Sequence, residues 1–194
     1  KQDILSANSV DYSDGLKSGV SEANLDRLML NEERIESMAE DARSVASLPD
    51  PVGEDFDSKR MENGLKISKR RVPLGVIATI YESRPNVTVD ISTLAIKSGN
   101  SAVLRGGKEA INSNVAISNV IKRALKNSSL PDGCIDLIES TDRKIVSEML
   151  AFRGGIDLLI PRGGAELIRF VAENASVPVV TGGVGVCHIY VDSK

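Results

Sequence analysis

Residues 73–108, PLGVIATIYESRPNVTVDISTLAIKSGNSAVLRGGK, decide the fold. The run 76–81 is short and β-rich, with Pro73 and Gly75 before it and Arg84 and Pro85 after it, the pattern of a strand between turns. Over 88–98, Ile91, Leu94 and Ala95 fall at helical spacing, and Gly99-Asn100 supplies residues that tolerate φ > 0 and commonly end a helix. Residues 102–105 form the next strand, which runs straight into Gly106-Gly107-Lys108. The stretch is therefore one βαβ unit. Ligands of open α/β sheets sit beyond the C-terminal ends of the strands, so both polar turns, YESRPN and LRGGK, fall where a ligand belongs.

Downstream the alternation continues. Ile111, Val115, Ala116, Val120, Ala124 and Leu125 mark a helix, 134–138 a strand, and 142–151 a helix stopped by Gly154-Gly155. Residues 156–160 read as a strand, PRGG as a turn, and Leu167, Ile168, Val171 and Ala172 as one face of a helix. Further strands are expected over 177–181 and 187–191, separated by the glycines of 182–185. Nearly all-apolar strands separated by helices belong in a parallel sheet covered on both faces. The expected fold is α/β, a doubly wound, Rossmann-like and mostly parallel sheet of about five strands, preceded by helices.

Upstream, Leu25, Leu28 and Met29 mark a short helix after Ser21. Asn31 is placed to cap a longer one carrying Ile35, Met38, Ala42, Val45 and Leu48, which Pro49 and Pro51 end. Residues 50–63 read as a polar loop and 64–72 as an edge strand. Its Lys69, Arg70 and Arg71 either hold a phosphate or serve as the charges that keep an edge from pairing.

With 24 Lys+Arg against 27 Asp+Glu, no global field favours nucleic acid or anionic membrane. Three Phe, three Tyr and no Trp leave little for base stacking. The first twenty residues hold no apolar run of a signal peptide, and no segment approaches the ~18 apolar residues of a membrane span, so a cytoplasmic protein is expected. Cys134 and Cys187 are far apart, without CxxC spacing, and suggest neither a disulfide framework nor a metal site. The chain starts at Lys1 and stops at Lys194, just after a strand-like run, which is the pattern of a fragment.

Three loops of one polarity carry the candidate chemistry: YESRPN at 81–86, LRGGK at 104–108 and IPRGG at 160–164. A dinucleotide needs backbone that its phosphates can approach, cations to offset their charge, and a helix N-terminus facing them. Gly106-Gly107 with Arg105 and Lys108 meets these needs, as does Gly163-Gly164 with Arg162. Either loop alone is also an ordinary turn of an α/β protein. No G-x-G-x-x-G fingerprint is present.

RRVPLGVIATIYESRPNVTVD, LAIKSGNSAVLRGGKEA, LPDGC, LLIPRGGAELI and VPVVTGGVGVCHIYVD together resemble the gamma-glutamyl phosphate reductase (glutamate-5-semialdehyde dehydrogenase) family of the aldehyde dehydrogenase superfamily. The resemblance covers the whole chain and implies a nicotinamide-binding domain without the glycine fingerprint. It implies an N-terminal part of helices and loop over 1–63 and an NADP-binding core over 64–194, with the catalytic domain outside the chain. The implied reaction is NADPH-dependent reduction of L-glutamyl 5-phosphate to glutamate 5-semialdehyde, with phosphate released, in proline biosynthesis. There a cysteine thiolate attacks the acyl phosphate and hydride reduces the resulting thioester. Glutamate 5-kinase is the implied pathway partner, and assembly is implied to be homo-oligomeric, with GLKISKRRVPLG as part of an assembling hairpin.

Transferred by position, the strand-end residue that meets the adenosine ribose is Arg105, with Lys108 nearby, and cations there suit a 2′-phosphate and so NADP. The second nucleotide loop is Pro161, Arg162, Gly163 and Gly164. The oxyanion-stabilising turn lies within 83–86; its Ser83 is implied to be cofactor-binding, and Asn86 offers its only side-chain amide. The family's nucleophilic cysteine lies in a later motif that this chain lacks. Cys187 matches an ordinary strand cysteine and alternates with Ile189 and Val191. His188, adjacent on a strand, points to the opposite face, so no Cys-His dyad is expected. Residues 177–186 also lack the glutamate base of hydrolytic aldehyde dehydrogenases, as suits an acyl-phosphate reductase, in which activated water would destroy the thioester. A non-catalytic nucleotide-binding module, or an inactive fragment, stays open beside the reductase reading.

Overall fold

A computed structural model describes residues 1–182 and 188–192. At its centre is a four-stranded parallel sheet of β3 (Val76–Tyr81), β4 (Ser101–Arg105), β5 (Ile135–Leu137) and β6 (Leu158–Arg162), in the order β5-β4-β3-β6. Ile77 pairs with Ala102 on one side and Leu158 on the other, so β3 is interior and is buried from Ile77 to Tyr81. Pro161 lacks a donor N–H and is tolerated because the other edge of β6 carries a single bridge, at Leu159, while β3 pairs it along its length.

The chain runs outward through β3, β4 and β5, then returns across β3 to lay down β6. Helices α4 (Asn86–Lys97) and α5 (Ile111–Lys126) cover the face carrying Tyr81, Ala102 and Leu104, while α6 (Arg143–Ala151) and α7 (Ala165–Asn174) cover the face carrying Ala78 and Ile80. Leu104 and Leu159 are fully buried, and burial of a side chain this size contributes about 1.5–3 kcal/mol.

Outside α4 and α5 lies a further helical layer of α1 (Gln2–Lys17), α2 (Glu22–Leu28) and α3 (Glu32–Ser47), with Ile4, Leu30 and Met38 gathered around Ile117 of α5. Asn31 caps α3, its side chain accepting from Arg34 N at 2.7 Å. Helix α1 is absent from the hydrophobic pattern because the residues it buries are Ile4, Asn8, Asp11 and Gly15.

Three expectations change. Residues 50–63 contain a strand, β1 (Asp55–Arg60), which pairs antiparallel with β2 (Lys66–Arg70) as an exposed hairpin; its six residues carry no inward apolar face to announce it. In place of a strand over 177–181 there is one parallel bridge, Leu159 to Val179, beside Pro178, which cannot donate to a ladder. Residues 188–191 form no strand, and with no described strand beside them Ile189, Tyr190 and Val191 are 90%, 88% and 82% exposed. Cys187 lies outside the described residues. The basic run 69–71 pairs with its own hairpin: Lys69 with Asp57 at 2.8 Å, Arg70 with Asp55 at 2.7 Å and Arg71 with Glu54 at 2.7 Å. Hydrogen bonding to Arg70 holds the Asp55 carboxyl below its usual range. No described helix is long and apolar enough to cross a membrane.

Candidate functional site

The strand order reverses between β3 and β6, and the crevice beyond the C-terminal ends of such a strand pair is where open α/β sheets bind ligands. A cleft of about 860 Å³ opens there. The turn after β3 supplies Glu82, Ser83 and Arg84, the turn after β6 supplies Gly163 and Gly164, and Lys108 and Glu109 enter from beyond β4. Helix α2 closes one side with Arg27.

Two carboxylates fix these turns. Ser83 has a left-handed backbone, φ 44°, a conformation that a residue with a Cβ holds only when its surroundings impose it. Here Glu109 Oε1 accepts both Ser83 N–H, at 2.7 Å, and its hydroxyl, at 2.8 Å. Glu82 Oε2 accepts the N–H of Gly164, the N-cap of α7, at 2.8 Å. A Cβ on Gly163 would displace the Glu82 carboxylate, so the bare glycine is what lets that carboxylate close on the loop.

Around these carboxylates stand Arg84, Lys108 and Arg162, none of which forms a salt bridge or side-chain hydrogen bond among the described residues. The cleft thus holds unpaired cations on a frame whose own anions are already bound to backbone. That combination suits an extended polyanion such as a dinucleotide.

Of the residues singled out in the sequence, Ser83, Lys108, Pro161, Arg162, Gly163 and Gly164 line this one cleft. Arg105, Gly106 and Gly107 lie beneath the loop rather than on the cleft wall. Arg105 is 9% exposed, donates from Nη2 to Thr141 O at 3.2 Å, and has a buried Nε without a partner. Burial pushes its pKa down, with Glu109 opposing and Arg143 adding to the effect. A Cβ on Gly106 would run into Asn114 Nδ2, itself buried without a partner. Asn86 begins α4 with its amide donating to Asp90 Oδ2 at 3.1 Å, and it lines a neighbouring cavity of about 270 Å³ instead.

Glu82 and Glu109 were missed in the sequence, although both stand in the motifs quoted; the preference of helix N-termini for carboxylates was the available signal. Arg27 carried no signal, because only tertiary packing brings α2 to the cleft.

This sheet, switch-point cleft and helical layer have the fold of aldehyde dehydrogenases: a probable aldehyde dehydrogenase from Listeria monocytogenes superposes on 95% of the chain with a TM-score of 0.64 at 16% identity, covering 38% of that protein. No family model matches the chain. Its sequence is 53% identical over 191 residues to a gamma-glutamyl phosphate reductase of Psychromonas ingrahamii, 98% of this chain but 46% of that protein. The crystal structure of gamma-glutamyl phosphate reductase from Thermotoga maritima matches 99% of the chain and 46% of its own length, with 50% identity and a TM-score of 0.91. The chain is a relative of the gamma-glutamyl phosphate reductases, matching the N-terminal part of their sequence, and it spans about half the length of the curated relatives it matches.

Proposed function

We propose that this chain is the cofactor-binding part of a gamma-glutamyl phosphate reductase, an NADPH-dependent cytoplasmic enzyme that reduces L-glutamyl 5-phosphate to glutamate 5-semialdehyde and releases phosphate. The observation that carries this reading is that YESRPN and PRGG, two of the motifs by which the sequence resembles that family, meet at the switch point between β3 and β6. The cleft fits the cofactor in size, in its unpaired cations, and in the bare glycine at 163 beside Glu82.

When bound, the nicotinamide supplies hydride. Lys108 and Arg162 hold the phosphates, and Arg105 and Lys108 favour a 2′-phosphate. Glu109 keeps Ser83 in its left-handed turn, and Glu82 fixes the PRGG loop. Asn86 Nδ2 gives one N–H to Asp90 and has a second to offer an oxyanion. The nucleophilic cysteine belongs to a later segment of the family's sequence. The exposed hairpin β1–β2 suits assembly into a homo-oligomer, and glutamate 5-kinase is the enzyme that supplies the acyl phosphate.

The test is phosphate-dependent reduction of NADP by glutamate 5-semialdehyde, the reverse reaction, on this chain and on a longer polypeptide carrying it. Activity in the longer protein alone is the expected result. Inactivity in both, with dinucleotide still bound, would favour a non-catalytic nucleotide-binding module.

A further inference from the structure

The cavity of about 270 Å³ beside the cleft is walled by α2, α3 and the β3–α4 turn. Arg27 and Arg84 line both this cavity and the 860 Å³ cleft, so the two spaces meet at these guanidiniums. A ligand seated here therefore lies alongside whatever the cleft holds.

Its charges are not all available. Arg34 and Asp26 satisfy one another at 2.8 Å, and Arg34 also donates to Met29 O at 2.9 Å. Arg27 leans on Asn24 Oδ1 at 3.3 Å. Arg84 and Asp41 remain, and among the described residues neither has a salt bridge or a side-chain hydrogen bond. Because the bond of Arg27 is to a neutral amide, the cavity presents two guanidiniums and one carboxylate without an ionic partner among the described residues. A simple anion leaves Asp41 unanswered and a simple cation leaves Arg84 unanswered, whereas a zwitterion meets both.

We propose that this cavity binds the zwitterionic α-amino-acid head of the substrate, its α-carboxylate on Arg84 and its ammonium on Asp41. The assignment rests on the substrate reading above. Asn86 adds to it: its Nδ2 is held by Asp90, which leaves Oδ1 to accept from the ammonium. Met29, Leu30 and Met38 offer apolar wall to the methylenes. Asp90 supports the same polarity, since burial first and the Asp41 charge second push its carboxyl above the usual range. An ammonium at Asp41 relieves that repulsion.

Calorimetric titration of the 194-residue chain with L-glutamate, glutarate and 4-aminobutyrate tests this directly. Glutarate lacks the ammonium and 4-aminobutyrate lacks the α-carboxylate. L-Glutamate is expected to bind at least about tenfold tighter than either, the scale of a hydrogen bond to a charged group. Arg84→Gln should abolish the preference over 4-aminobutyrate, with Arg84→Lys restoring part of it, and Asp41→Asn should abolish the preference over glutarate. Both residues are exposed, so neither change threatens the fold. Absence of the preferences, or preferences untouched by the substitutions, would overturn the assignment. A parallel titration with NADPH separates it from the reading beneath it. NADPH binding without amino-acid discrimination removes this site alone, and discrimination without NADPH binding removes the dinucleotide reading alone.

Discussion

Glu82 Oε2 and Gly164 N lie 2.8 Å apart, a hydrogen bond that joins the turn after β3 to the N-cap of α7 across 82 positions of sequence. It puts a fixed carboxylate at a helix N-terminus, where partial positive charge favours an anion. The same place on other α/β sheets receives a ligand phosphate. Here the protein holds an anion of its own there, and a phosphate entering the cleft meets Glu82 as well as Arg162 and Lys108.

Replacing Glu82 with Gln keeps an acceptor for Gly164 and removes the charge. Affinity for NADPH should then rise by about two- to fivefold, matching the ~0.3–1 kcal/mol of a charge at a helix end. Fluorescence titration reads this. Weaker binding would show that the carboxylate itself holds the ligand.

The attachment of the outer helices depends on Asp11. It is 3% exposed, and its carboxylate accepts from Asn112 N and Nδ2 and from Ser113 N and Oγ at 2.6–3.2 Å. These groups begin α5, so the charge also faces a favourable helix end. Asp11→Ala leaves buried donors without an acceptor and should cost about 3 kcal/mol in urea unfolding. A loss below about 1 kcal/mol would mean that the apolar contacts and the Asn8–Ser113 hydrogen bond hold the junction without it.

Tyr81 gives the fold an alkaline limit. Its hydroxyl lies 2.6 Å from Thr88 Oγ1, and burial pushes its pKa up to about 12, with the Thr88 hydrogen bond opposing. A raised phenol pKa means that the unfolded chain loses this proton first. The contribution is complete below the ordinary value of about 10 and is lost as pH rises through about 12. The difference is worth about 3 kcal/mol. Tyr81→Phe should flatten the fall in stability over that window, measured by chemical denaturation. An unchanged slope would assign the alkaline loss to other groups.

How much of this was legible depends on which kind of residue carries each feature. The central sheet was readable because β3, β4 and β6 are apolar runs between Gly and Pro, and their turns follow them in chain order. Helix α1 was not, because it faces the core with Asn8, Asp11 and Gly15 and is satisfied by hydrogen bonds to Leu28, Leu30, Asn112 and Ser113. Strand β1 was hidden for the opposite reason: every residue is exposed, so burial imposed no alternation. In the cleft, the glycines and cations were visible as motifs. The roles of Glu82 and Glu109 were not, since each acts across a distance in sequence that only the paired strands close.

Cofactor choice turns on the difference between two neighbouring cations. Arg105 is buried, with Nη2 on Thr141 O, so Arg105→Ala removes packing and strands a carbonyl as well as a charge. It should lower stability by about 1–3 kcal/mol and weaken NADPH more than NADH. Lys108 is exposed on the cleft wall and has no salt bridge or side-chain hydrogen bond among the described residues, so Lys108→Ala should leave stability unchanged. If it meets the 2′-phosphate, Lys108→Ala weakens NADPH by about three- to tenfold, less than a buried charged hydrogen bond because solvent screens it, and leaves NADH nearly untouched. Titrating both variants with both nucleotides separates the roles. Equal losses for NADPH and NADH in each variant would remove the 2′-phosphate assignment. A selective loss at Lys108 alone would make Arg105 a support for the β4 turn rather than a contact to the ligand.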